Sequence, residues 1–369
     1  MVKSEIDAWD KVAYLLEYIR LVAEREAIQG LDTWAQYFTE FRQKGRYDLC
    51  FRLLQSIKTA DLPSYGLAIV RYSEGWLYDR IGRWREAIAA YEASIEAFKT
   101  AGIPSVNVEL LNNIGSLYHD QGHWAKAEEA YEQALISAEN LEDKRGRGGV
   151  LNNLGGLYLK QNKVKDAEHC FNEAANILKE VNDRYNYAAA QNGLGYVLRD
   201  GGRIQEALYK YLEALSVYLE LGNQHGIAST MASIALLYQL SNHMQEALAQ
   251  YQEALSIFLE IGDQLNVTRT LGNLALLMHS QGEVDKALDY FEQALEGYKE
   301  FGEQHGEAVT LVNIAGIYKQ RGDHIKAKLF ALQARTLSES LGFTDELMRL
   351  QSLGIEGDTP EVACKGHFA

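Results

Sequence analysis

An all-α array of stacked helical hairpins is the fold class the sequence predicts, on three observations. The chain repeats with a period of 40 residues without slippage, each unit carries helical periodicity, and there are only three prolines in 369 residues. Alanine recurs at Ala87, Ala127, Ala167, Ala207, Ala247, Ala287 and Ala327. A small residue recurs at Gly75, Gly115, Gly155, Gly195, Ala235, Ala275 and Ala315, and an aromatic at Tyr91, Tyr131, Phe171, Tyr211, Tyr251 and Phe291, with Ala331 in the last unit. A hydrophobic content of 47% supplies a core, and a chain of this length suits an elongated array better than one compact core.

The elements follow in chain order. Residues 1–30 are expected to hold an N-terminal capping helix with Trp9, Val12, Leu16 and Ile19 on one face, and residues 31–63 a degenerate hairpin marked by Ala35, Gly45, Cys50 and Leu54. Seven units of 40 residues fill 64–343. In the unit 143–182, Asp143 caps a first helix to about Gln161, Asn162 permits the turn, and a second helix runs from about Val164 to Lys179. Pro104 suits a first helical turn, and Gly222, Gly262, Gly302 and Gly342 stand where second helices end. Residues 344–353 read as a C-terminal capping helix and 354–369 as a flexible tail. Gly115 and Ala127 are expected where paired helices cross, because removing bulk allows close approach.

Composition excludes several function classes. A net charge of −15 opposes nucleic acid and anionic membranes as partners. Cys50, Cys170 and Cys364 are odd in number and widely spaced, so neither a disulfide framework nor a zinc site is indicated, and a cytoplasmic location is expected. Acids throughout the first 30 residues exclude a signal-peptide core, and no apolar stretch is long enough for membrane insertion. His119 and His123 have metal-ligand spacing, but Gly122 interrupts the helix between them. KRGRGG at 144–149 suggests an anion cradle, yet no strand precedes it and Gly146 is in register with Gly226 and Gly306, which favours packing. No nucleophile–base arrangement stands out, so no enzyme, metal or cofactor is expected.

The run Leu111, Gly115, Tyr118, Ala127, Tyr131 and Ala134 resembles the tetratricopeptide repeat (TPR), and the resemblance extends over residues 64 to 343. The 40-residue unit is similar to the long-helix variant of kinesin light chains, Pins-type adaptors and bacterial sensor domains, although glycines replace the family's proline after the second helix. The resemblance implies a right-handed superhelix whose first helices line a groove for a partner peptide or helix. Carried over position by position, the groove comprises Ser73, Trp76, Asn112, Asn113, Asn152, Asn153, Asn192, Tyr196, Ser233, Leu236, Leu240, Asn273, Leu276 and Asn313.

At the place of Asn113 the family uses an amide on the backbone of a bound peptide, a task that needs both a donor and an acceptor. A second role stands beside it: bonding between adjacent repeats. The groove is expected to pass from polar, at the asparagines, to apolar, at Ala232, Leu236, Leu240, Leu276 and Val312, which points to a partner with an extended or amphipathic segment. Arg80, Lys160, Arg199, Arg269 and Lys319 are scattered among acids, unlike the cation clusters of TPR proteins that clamp a terminal carboxylate. The implied function is a non-catalytic protein-interaction scaffold or adaptor. A peptide- or ligand-responsive sensor and an assembly chaperone or self-assembling scaffold, with homo-oligomerisation, are the alternatives.

Overall fold

In a computed structural model of the chain, the described residues are 27–43, 46–57, 62–103 and 107–355, and they form 17 α-helices and no strand. The expected helix face at Trp9, Val12, Leu16 and Ile19, the positions Gly45 and Pro104, and the tail from residue 356 lie outside them. The chain divides into two compact units, Met1–Gly193 and Leu194–Ala369.

The first unit holds α1 (Ala27–Gln43), α2 (Tyr47–Ile57), α3 (Ser64–Arg80), α4 (Trp84–Thr100), α5 (Asn107–Asp120), α6 (Trp124–Asn140), α7 (Lys144–Lys160), α8 (Val164–Glu180) and the start of α9 (Arg184–Asp200). The second continues with the end of α9, then α10 (Ile204–Leu221), α11 (Gln224–Leu240), α12 (Met244–Glu260), α13 (Gln264–Ser280), α14 (Val284–Phe301), α15 (Gln304–Gln320), α16 (His324–Leu341) and α17 (Thr344–Ser352). Hairpins pair α3 with α4, α5 with α6 and α7 with α8 in the first unit, and α11 with α12, α13 with α14 and α15 with α16 in the second. Successive first helices also touch, α5 with α7, α11 with α13 and α15 with α17.

Turn chemistry sets this rhythm at half the sequence period. From Gly82 to Gly342 a residue with positive φ recurs every 20 positions, and every helix in that span ends beside one. Glycine or asparagine occupies all of these left-handed positions except 142, where Glu142 has φ 54°. Helix starts are marked too: the side chains of Asp143, Asn223, Asp263 and Glu303 each accept the backbone N–H three residues on, at 2.6–3.2 Å. Asp183 does the same for Asn186 at 3.2 Å.

Close approach within a hairpin, and between one hairpin and the next, uses the small residues. A Cβ on Gly115 would lie 2.5 Å from the Tyr131 ring, and one on Gly193 would lie 2.4 Å from Phe171. Tyr131, Phe171, Tyr211, Tyr251 and Phe291 are buried, as are Ala235, Ala275 and Ala315. Ahead of the repeats, Trp34 of α1 stacks on Phe38 of the same helix and donates its indole N–H to the Leu53 carbonyl at 2.9 Å, a bond that ties α1 to α2.

Candidate functional site

The candidate residues lie on the first helices of the hairpins, which in the first unit are α3, α5, α7 and the start of α9. Side-chain bonds step from one helix to the next. Tyr72 of α3 donates to Glu109 of α5 at 2.6 Å, and Asn153 of α7 donates its amide to the Asn112 Oδ1 of α5 at 3.0 Å. The second bond is an inter-repeat rung between two of the asparagines. It uses one donor and one acceptor of the two amides, and Asn112, Asn113, Asn152, Asn153 and Asn192 all remain half-buried. Asn152 Oδ1 is shut off from solvent with no hydrogen-bond partner among the described residues. Such an acceptor costs free energy until a donor reaches it.

Two positions of this unit serve packing. Ser73 is only 6% exposed. Trp76 is half-buried against the edges of Phe38 and Tyr47, with the guanidinium groups of Arg42 and Arg80 at 5.4 and 5.9 Å from its ring centre. The amide series also skips position 193, because only glycine fits against Phe171 there.

Two titratable groups on this face are shifted by their surroundings. Burial pushes the Asp79 carboxyl above its usual range; Arg80 opposes that shift and Asp120, one repeat on, adds to it. Burial lowers His119, with Asp120 opposing and Lys160 adding, so its imidazole is neutral at pH 7.

In the second unit the same helices present apolar surface. Leu240 is 59% exposed and Leu276 41%, while Leu236 is half-buried against the core. Val312, expected on this apolar stretch, is buried instead, at 1% exposure, and floors a recess of about 200 Å³ bordered by Leu276, Asn313, Gln320, Arg349 and Leu353. Tyr196 is 42% exposed, with the Arg199 guanidinium 4.1 Å from its ring centre and bonded to Asp200 at 2.7 Å. Ser233 turns its hydroxyl onto the Ser229 carbonyl at 3.0 Å, and Asn273 is half-buried. Asn313 accepts from Arg349 at 2.6 Å, and His279 contacts Gln320 at 3.0 Å.

Sequence reasoning missed Tyr72, Glu109, His279, Gln320 and Arg349 as inter-helix partners. Their signal is a polar pair separated by 36, 37 or 41 residues, close to one period, a spacing visible only once the pairing of successive first helices is known.

The other chemistry-bearing motifs resolve into structure. Lys144 pairs with Glu180, Arg145 with Asp183 at 2.6 Å, and Arg147 with Glu173, so the basic run at the start of α7 is neutralised within the unit. Gly122, at φ 72°, lies in the turn after α5, so His119 sits in the last turn of α5 while His123 lies outside it, just ahead of α6. Among the described residues no cluster of His, Cys, Asp and Glu is arranged to hold a metal, and no helix is long and apolar enough to cross a membrane.

A sequence profile described as tetratricopeptide repeat matches residues 108–180, 186–260 and 266–340, more than half of the chain, and a second of the same description matches 72–142 and 152–217. The chain belongs to the tetratricopeptide repeat family. No curated protein matches the TPR chain in sequence.

Solved structures share its fold. A Rap protein complexed with Competence and Sporulation Factor has a TM-score of 0.63 at 16% identity, over 90% of this chain and 99% of that one. Aspartyl phosphate phosphatase F from Bacillus subtilis has 0.52 at 11%, over 88% and 92%. BtubC from P. vanneervenii has 0.51 at 21%, over 59% and 92%. As a TPR protein the chain is by class a protein-interaction scaffold, and the repeat is typically non-catalytic.

Proposed function

We propose that this TPR chain is an adaptor that receives an extended or amphipathic segment of a partner protein on the first helices of its hairpins. The observation that carries the reading is the exposed Leu276 on the border of the 200 Å³ recess, with Leu240 exposed on the preceding first helix, on helices whose buried faces are otherwise spent on the stack. Apolar side chains left open next to a recess rimmed by Asn313, Gln320 and Arg349 suit an apolar anchor followed by backbone that accepts and donates hydrogen bonds. In the first unit the half-buried asparagines offer a separate polar contact surface. Ser73 and Trp76 do not belong to the proposed surface, since packing occupies them.

The test is partner recovery from the source cell with the wild-type chain and with Leu240→Asp/Leu276→Asp. Both side chains are exposed, so the melting temperature should hold within about 2 °C while recovery falls. Unchanged recovery with an unchanged melting temperature would refute the assignment. A second reading, ligand-responsive regulation, is favoured by the likeness to the Rap protein complexed with Competence and Sporulation Factor. It predicts a change in the distance between two labels on the TPR chain itself when the recovered partner is added, and a rigid adaptor shows none.

A further inference from the structure

In the first unit a recess of about 410 Å³ opens among α4, α5 and α6, a volume in the range of ligand-binding recesses. Its apolar lining is Ile95 of α4, Leu111, Ile114 and Tyr118 of α5, and Ala130 of α6. The repeat itself shows what such a place can hold. Five periods on, Tyr318, Lys326 and Phe330 stand at the positions of Tyr118, Lys126 and Ala130. There the Phe330 ring stacks on Tyr318, with 5.6 Å between centres and 5° between planes, and the Lys326 ammonium lies 4.8 Å from the same Tyr318 ring centre.

Lys126 repeats the second contact, 5.3 Å from the Tyr118 ring centre, but the stacked ring has no counterpart, because Ala130 ends at its Cβ. The surroundings register the difference. Leu295, Leu311 and Tyr318 are buried in the cluster on which Phe330 packs, whereas their equivalents Ile95, Leu111 and Tyr118 are only half-buried. The lysine is no obstacle to a ring, since Lys326 and Phe330 share Tyr318.

The in-register Phe330 points to an aromatic side chain as the occupant, for a ring laid in offset on Tyr118 would cover apolar carbon that is now wetted. Charge defines what flanks it. Glu92 and Glu129, both exposed, border the recess, and α6 carries four glutamates against the single Lys126. Basic residues on either side of the aromatic complement that rim. We propose that this recess is a docking site for an aromatic side chain of a partner protein, carried between basic residues and stacked on Tyr118 as Phe330 stacks on Tyr318. The site is built with the second helices of the first unit, so it is distinct from the surface proposed above on first helices of the second unit.

The experiment follows the Ile and Leu methyl signals of the full chain by NMR as short synthetic peptides are added: one tryptophan between lysines, the same peptide with alanine for tryptophan, and one tryptophan between glutamates. The ring current of the lysine-flanked tryptophan should shift Ile95, Leu111 and Ile114, and the alanine peptide should leave them in place. The glutamate-flanked peptide should bind about tenfold or more weakly, with the difference shrinking as salt rises. Ala130→Phe supplies the ring from the chain itself, so it should abolish the shifts while the melting temperature holds or rises. Glu92→Gln/Glu129→Gln, at exposed positions, should weaken the lysine-flanked peptide and leave the melting temperature unchanged.

No shifts with the lysine-flanked tryptophan peptide, equal shifts with the alanine peptide, or equal affinity for the glutamate-flanked peptide would overturn the proposal. Retained binding by Ala130→Phe, or a lowered melting temperature in that variant, would also overturn it, the latter by showing that no ring-sized space lies on Tyr118. N-acetyltryptophanamide binding as tightly as the lysine-flanked peptide would make the occupant a free small molecule and overturn the assignment to a partner protein.

Discussion

Glu142 occupies a backbone conformation that costs about 1 kcal/mol or more for a side chain other than glycine or asparagine, at φ 54° and exposed to solvent. Glu142→Gly should therefore raise the melting temperature slightly, and a decrease would show that the Glu142 side chain makes a contribution larger than its backbone strain. The opposite sign is expected at Gly115. A methyl group there meets Tyr131 ring atoms at 2.5 Å, so Gly115→Ala should destabilise by about 1–3 kcal/mol, read from chemical denaturation.

Asp183 gives a pH dependence. Burial raises its carboxyl, but hydrogen bonds from Asn186 and Arg145 outweigh burial and hold it below its usual value of 3.8. A group depressed in the folded state stabilises fully above its unfolded pKa, and that contribution is lost as pH falls below about 4 through the folded value. Asp183→Ala should flatten the acid limb of stability against pH and cost about 1–2 kcal/mol at pH 7 through loss of the cap.

Individual side chains explain how far the sequence was legible at this scale. The alanine, glycine and aromatic positions of the repeat are dictated by close packing, so their spacing alone marks the buried sites. The rung from Asn153 to Asn112 joins residues 41 positions apart on facing helices, and its existence depends on an axial offset that no single-helix pattern encodes.

Among elements, the hairpins were legible because the chain punctuates its helices: carboxylates or amides at the starts of first helices from Asp143 to Glu303, left-handed residues at the stops. The 20-residue spacing of the stops is less visible, because Glu142 breaks the glycine and asparagine series, and a glutamate carries no turn signal. The terminal element α17 supports its predecessors. Leu350 is fully buried, Arg349 bonds Asn313, and Lys319 donates to the Leu353 carbonyl. Removing residues from 344 onward should expose the core around Leu311 and Ile314 and speed hydrogen exchange in α15 and α16 before it changes α11 or α12. Uniform acceleration along the second unit would show that the repeats unfold as one block instead.

For the molecule as a whole, the repeat family follows from sequence while the partner does not, because the repeat constrains the buried face of each helix and leaves the exposed face free to vary. We propose that the exposed face of the first helices in the second unit meets that partner. Hydroxyl-radical footprinting of the chain, alone and with its recovered partner, tests it most directly, since tyrosine and leucine side chains report their own solvent exposure. Tyr196, Leu240 and Leu276, exposed in the free chain, should each be protected in the complex. Full reactivity of all three in a complex that is demonstrably formed would contradict it.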